Sequence, residues 1–218
     1  MPSTWLTLAA LGAGHGLNPG MGWLFAVALG MQEGRTRGVW RALSPLALGH
    51  ALAVGAAVLV AAALGRLLPP GTLHWIIGGL LLGLGALRLV RHRHPRYGGM
   101  RVGFRELTTW SFLMATAHGA GLMVLPFLVG RSGAGSAAVE GAHAMHIAQA
   151  TVAPLSGPLA TGLWATALHS AGYLLVTGVI AVVVYRKLGL RMLRTMWINL
   201  DLIWGAALVV TGAVALVA

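Results

Sequence analysis

Long apolar runs recur from one end of this chain to the other, and between them there is too little acidic charge to clothe a soluble surface. Of 218 residues, 57% are hydrophobic and 9% charged, and Asp and Glu together number 4. A soluble globule of this size would need a mixed charged exterior, so the composition predicts an all-α integral membrane protein. A crossing takes about 20 residues, and the runs predict six transmembrane helices at 4–29, 44–65, 72–90, 107–130, 158–185 and 196–217. The opening "MPSTWLTLAALGAG" has no basic segment of the kind that begins a signal peptide, and reads as a retained first span.

The net charge of +11 is explained by where the charges lie. Arg35, Arg37 and Arg41 fall in the first connection. Arg88, Arg91, Arg93, Arg96, Arg101 and Arg105 fall in the third, and Arg186, Lys187, Arg191 and Arg194 in the fifth. The second and fourth connections hold only Arg66 and Arg131. Basic loops stay in the cytoplasm, so both termini are expected outside it. Anionic lipid is the partner of those loops, and no nucleic acid is implied. The absence of cysteine excludes disulfides and thiolate metal sites.

The two halves carry the same features in the same order. "GHGLNPGMGWL" lies over "AHGAGLMVLPFL", "LGHALAVGAAVLVAAALG" over "LHSAGYLLVTGVIAVVVY", and "HWIIGGLLLGLGAL" over "DLIWGAALVVTGAV". A three-span unit at 1–90, joined by a basic linker at 91–106 to a second at 107–218, accounts for this, with a long outer loop at 131–157. Three is odd, so the second unit is expected to be inverted in the membrane, an arrangement that secondary transporters use to form a midplane site. Similarity through Gly and Ala composition alone is the competing explanation, and the coincidence of histidines counts against it. His15 falls on His118, His50 on His169, and His74 on Asp201.

The stretch from Gly12 to Trp23 predicts a break in the first helix at Pro19 and Gly20. Proline removes a backbone donor and clashes with the carbonyl four residues back, which belongs to His15. Non-helical backbone at membrane depth survives only in contact with protein or a wet cavity. The break is therefore expected to free carbonyl and amide groups for a ligand. The other reading, glycine for close helix packing, suits Gly78, Gly79, Gly83 and Gly85 better.

Four histidines, His15, His50, His118 and His169, lie well inside spans, where polar residues are costly. Each alone could be a core histidine bonded to a carbonyl. As a matched set they predict, with Asn18, a site for a divalent transition-metal cation carried as substrate, with no organic cofactor. Accessory donors are Met21, Met123, Asp201, His143 and His146. The methionines leave copper open beside nickel, cobalt and zinc. Asp201 reads equally as a proton or cation site and as the partner of a basic residue. His143 and His146, in "HAMH", read as outer-side capture or as a solvated loop. "RHRHPR" places His92 and His94 among arginines, which suits lipid headgroups better than a cation.

No hydrolase elbow, phosphate loop or zinc-protease pair is present, so no enzyme is expected. The motif "HGLNPGM" (His15 to Met21), then a basic loop, then "GHA" (Gly49 to Ala51), resembles the nickel/cobalt permease and efflux families of the lysine-exporter superfamily. Their first-span motif is HA-x-D-x-D-H. The resemblance implies six spans, metal binding by His15 and His50, and Asn18 at the first acidic position. Gly20 and Met21 stand where the families have an acidic residue and a second histidine, which admits a softer metal or another solute. The stretch from Asn18 to Ala53 also resembles the amino-acid exporters of that superfamily. The expectation is a secondary transporter of the cell membrane that exports a metal cation, with homo-oligomers allowed. An amino-acid or small-solute exporter is the alternative. A haem protein with these histidines as axial ligands is a third reading.

Overall fold

The structure, a computed structural model, describes residues 2–69, 72–90, 103–136, 158–188 and 200–217. Among these, every regular element is helical. The order is α1 (Pro2–Leu17), a 3₁₀ turn (Pro19–Met21), α2 (Trp23–Glu33), α3 (Thr36–Leu67), α4 (Thr72–Val90), α5 (Phe104–Ala117), α6 (Ala120–Ser136), α7 (Pro158–Val183) with a π turn (Val184–Leu188), and α8 (Leu200–Val217). Most of the linker at 91–106 and of the outer loop at 131–157, with His92, His94, His143 and His146, lies outside the described residues.

The first connection differs from expectation. It is a tight turn at Gly34 and Arg35, closed by bonds from Gly34 N to Met31 O and Arg35 N to Gly30 O. These satisfy the last carbonyls of α2. Beyond it α3 already begins at Thr36 and runs for 32 residues, so Arg37 and Arg41 sit on helix. Pro45 interrupts the ladder of α3. The carbonyl it leaves, Arg41 O, accepts the Ser44 hydroxyl at 3.2 Å.

Two helices, 36–67 and 160–187, are individually long and apolar enough to cross a membrane. The pair 104–117 and 120–128, bent by 55°, makes a third if taken as one span, and 72–87 and 205–216 are shorter apolar helices. Polarity is distributed as lipid demands rather than as water does. Trp40, Leu52, Leu59, Trp75, Leu113, Trp164 and Leu175 are exposed, whereas His15, Asn18, His50, Ser111, His118 and His169 are buried. A soluble fold would reverse this.

Packing runs between the two halves of the chain. α1 lies along α7, α5 along α3, and α4 along α8. Glycine makes each approach close. Gly12 on α1 faces the His169 carbonyl, Gly172 on α7 faces the Ala9 carbonyl, and Gly49 on α3 faces the Thr108 carbonyl. On the third pair, Gly78 meets Gly212 and Leu216 while Gly85 meets Gly205 and Val209. Between helices in lipid the attraction is mostly van der Waals contact, which grows as backbones come together. Gly79 and Gly83, expected to serve the same purpose, have nothing within 4 Å where a Cβ would stand.

Candidate functional site

Two interruptions meet at the centre of this bundle. In the first, α1 ends at Leu17 and the chain turns at Asn18 (φ −70, ψ 121). Pro19 has no N–H to continue the helix. Asn18 Oδ1 accepts the Gly20 amide at 2.9 Å and so caps the 3₁₀ turn. Gly22, at φ 132, then redirects the chain into α2, a conformation that glycine alone adopts cheaply.

Three of the carbonyls around this break, expected to be free for a ligand, accept side-chain hydrogen bonds. Trp23 Nε1 donates to Leu17 O at 3.0 Å, Trp110 Nε1 on α5 to Gly20 O at 3.2 Å, and the Tyr173 hydroxyl on α7 to Met21 O at 2.7 Å. Three large side chains, two from the other half of the chain, thus take the backbone groups that proline and glycine set free. Replacing Tyr173 with phenylalanine keeps the ring and strands the Met21 carbonyl. A loss of about 1–3 kcal/mol of stability is expected, read by thermal unfolding of the purified protein. An unchanged melting temperature would count against the clamp.

The second interruption lies in the fourth expected span, where no break was anticipated. α5 ends at Ala117, His118 caps it with its amide on Met114 O at 2.9 Å, and Gly119, at φ 69, starts the 55° bend into α6. No proline marks the place; Pro126 lies further on, within α6. The available signal was the glycine directly after the histidine, as Gly16 follows His15.

All four histidines are buried, at 0% exposure for His15, His50 and His169 and 2% for His118, and the first three are brought together. Ring centroids of His15, His50 and His169 lie 5.1 to 5.8 Å apart. His15 Nδ1 bonds Leu11 O at 2.9 Å, His118 Nδ1 bonds Met114 O at 2.8 Å, and His169 Nδ1 bonds Leu8 O at 3.2 Å. A carbonyl only accepts, so each of these nitrogens carries the proton, and in the neutral ring Nε2 is left with its lone pair. His50 has no hydrogen-bond partner at either nitrogen, and His169 has none at Nε2. Burying such atoms unpaired costs about 1–3 kcal/mol apiece.

Tyr173, which the sequence reading missed, stacks on His50 at 4.0 Å and is itself buried. Its position four residues after His169 put it on the same helix face. Asn18 is spent as a cap; its remaining group, Nδ2, is a buried donor with no partner. Met21 and Met123 are buried at 1% and 0% exposure in one core with Tyr173 and Leu8. Asp201 lies in the first turn of α8.

The rings meet edge to face or stacked, as His50 does on His169 with planes 11° apart. Accordingly, among the described residues no three His, Asp or Glu side chains are arranged to hold a metal ion as they stand. Compared with known proteins, the chain matches no family model, no curated protein and no solved structure.

Proposed function

We propose that this chain is a secondary membrane transporter that moves a transition-metal cation outward through a site made by His15, His50, His118 and His169. One observation carries the reading. His169 has its Nδ1 proton pinned to the Leu8 carbonyl and no partner at Nε2, and His50 beside it has none at either nitrogen, so these lone pairs are left for a ligand, while His15 and His118 hold their Nδ1 protons on carbonyls in the same way. This is the outer-shell arrangement that fixes the tautomer of metal-binding histidine. His15 in the last turn of α1 and His118 at the end of α5 also sit at C-terminal helix ends, whose partial negative charge favours a cation. Binding requires the stacked rings to turn until their nitrogens converge.

The six-span plan with two inverted three-helix repeats is part of the same proposal. It is supported by the exchange of helices between halves, α1 on α7 and α5 on α3, with α4 against α8. It is supported also by the break after each first histidine and by the bond each makes to the carbonyl four residues back. Both termini are placed outside the cytoplasm on the charge of the connections alone. Rocking of one repeat against the other would expose the site to each side in turn.

An amino-acid or small-solute exporter is the second reading, favoured by one feature. The unpartnered Asn18 Nδ2 donor lies where the 3₁₀ turn begins, and suits a carboxylate better than a cation. The two readings separate in liposomes. Metal flux that is lost when His169 is changed to alanine supports the first; amino-acid flux with no metal flux supports the second and sinks the first. For haem, the third reading, the metal-transport proposal predicts purified protein with no Soret band.

A further inference from the structure

We infer that the ion taken by this site is univalent copper, Cu(I), held by imidazole and thioether, and not a divalent ion. The inference rests on the reading that the histidine cluster binds a metal. It begins from charge. The ligands available are neutral, and no carboxylate among the described side chains reaches them. Glu33 is paired with Arg41 at 3.2 Å beside the α2–α3 turn, and Glu106 lies in the first turn of α5, about three turns before His118.

A bare ion on neutral ligands at membrane depth keeps its whole charge. The cost of moving a charge from water into a medium of low dielectric rises with the square of that charge. A divalent cation therefore meets four times the penalty of a univalent one, with no anion among the described side chains to offset it. Lowering the ion's charge removes most of the cost. Adding a carboxylate would do the same, but none among the described side chains is placed to do so.

Coordination number points the same way. Nickel, cobalt and zinc take four or more ligands in protein sites, whereas among the described residues no three His, Asp or Glu side chains are arranged to hold an ion as they stand, and all four rings would have to turn together. Cu(I) is content with fewer, and it prefers soft donors. Soft donors lie in the core that packs beside the cluster. Met21 and Met123 share the core that contains Tyr173 and Leu8, the residues that stack on His50 and hold His169. Met114, whose carbonyl holds His118, packs on that core and extends its methyl group toward Gly20. Thioethers are flexible and polarisable, and reach an ion without bringing a charge of their own.

The test uses the full chain in detergent under anaerobic conditions, titrated in parallel with Cu(I) buffered by a competing chelator, with Ag(I) as a redox-inert probe, and with Ni(II), Co(II) and Zn(II). Equimolar binding of Cu(I) and Ag(I), with the divalent ions excluded, is the expected result. The double variant Met21→Leu/Met123→Leu, nearly conservative in volume, should weaken Ag(I) binding at least ~10-fold and remove sulfur from the X-ray absorption spectrum of bound copper. His169→Ala should weaken both univalent ions. Binding of a divalent ion in preference to Ag(I) overturns this inference and leaves the metal-transport reading standing. Binding of no metal at all overturns both, and Ag(I) binding indifferent to the methionines overturns thioether ligation.

Discussion

Changing Gly12 to alanine is expected to cost the folded protein about 3 kcal/mol, although the same change favours an isolated helix by about 1 kcal/mol. The added methyl would stand against the backbone carbonyl of His169, with the carbonyl carbon and Cα of the same residue next nearest. A flexible side chain could swing aside; backbone in the middle of α7 cannot. The α1–α7 contact has to open, and Leu8 O then moves away from His169 Nδ1, which it holds at 3.2 Å. Gly79→Ala is the control. Nothing lies within 4 Å of the methyl it would add, so helix propensity alone decides and stability is expected to hold or rise slightly. Thermal unfolding of the two variants beside the wild type compares them directly. Equal melting temperatures for Gly12→Ala and Gly79→Ala would mean that α1 and α7 are not packed as described.

Changing His15 to asparagine is expected to weaken cation binding by at least ~100-fold, since loss of a supporting partner alone costs 10- to 100-fold at metal sites. The asparagine side-chain amide takes the place of Nδ1 and still donates to Leu11 O, so the end of α1 keeps its hydrogen bond. What disappears is the lone pair at Nε2. His118→Asn makes the matching change at Met114 O and is expected to have a matching effect. Reading melting temperature and metal affinity on the same samples distinguishes a lost ligand from a lost fold. Unchanged affinity in both variants would mean that these nitrogens face no cargo.

How far the sequence anticipated this arrangement depended on whether the deciding partner was local. The starts of α4 and α7 follow from apolar runs preceded by proline and glycine at 69–71 and 157–158. The break after Leu17 was legible because Pro19 removes a donor wherever it stands. The break at His118 was not, because glycine permits a bend without requiring one, and Gly119 takes its φ of 69 only in the packed bundle beside Leu208. Nor was the fate of the freed carbonyls. Their captors, Trp110 and Tyr173, stand 90 and 152 positions from the residues they cap. The histidine set was visible as a repeated pattern. Its chemistry was set by carbonyls, one of them 161 positions from the ring it holds. Stacking of Tyr173 and His169 on His50 depends on how α7 lies against α3, which no local pattern encodes.

The measurement that bears most directly on the central claim is the metal content of the purified protein, by elemental mass spectrometry, after equilibration with each candidate ion and removal of excess. The wild type is set beside a variant with His15 and His169 both changed to alanine. The account predicts equimolar metal in the wild type and none in the variant. Wild-type protein that retains no metal, or a variant that retains as much as the wild type, would contradict it. The buried imidazoles would then be read as a polar core or a proton path serving an organic solute.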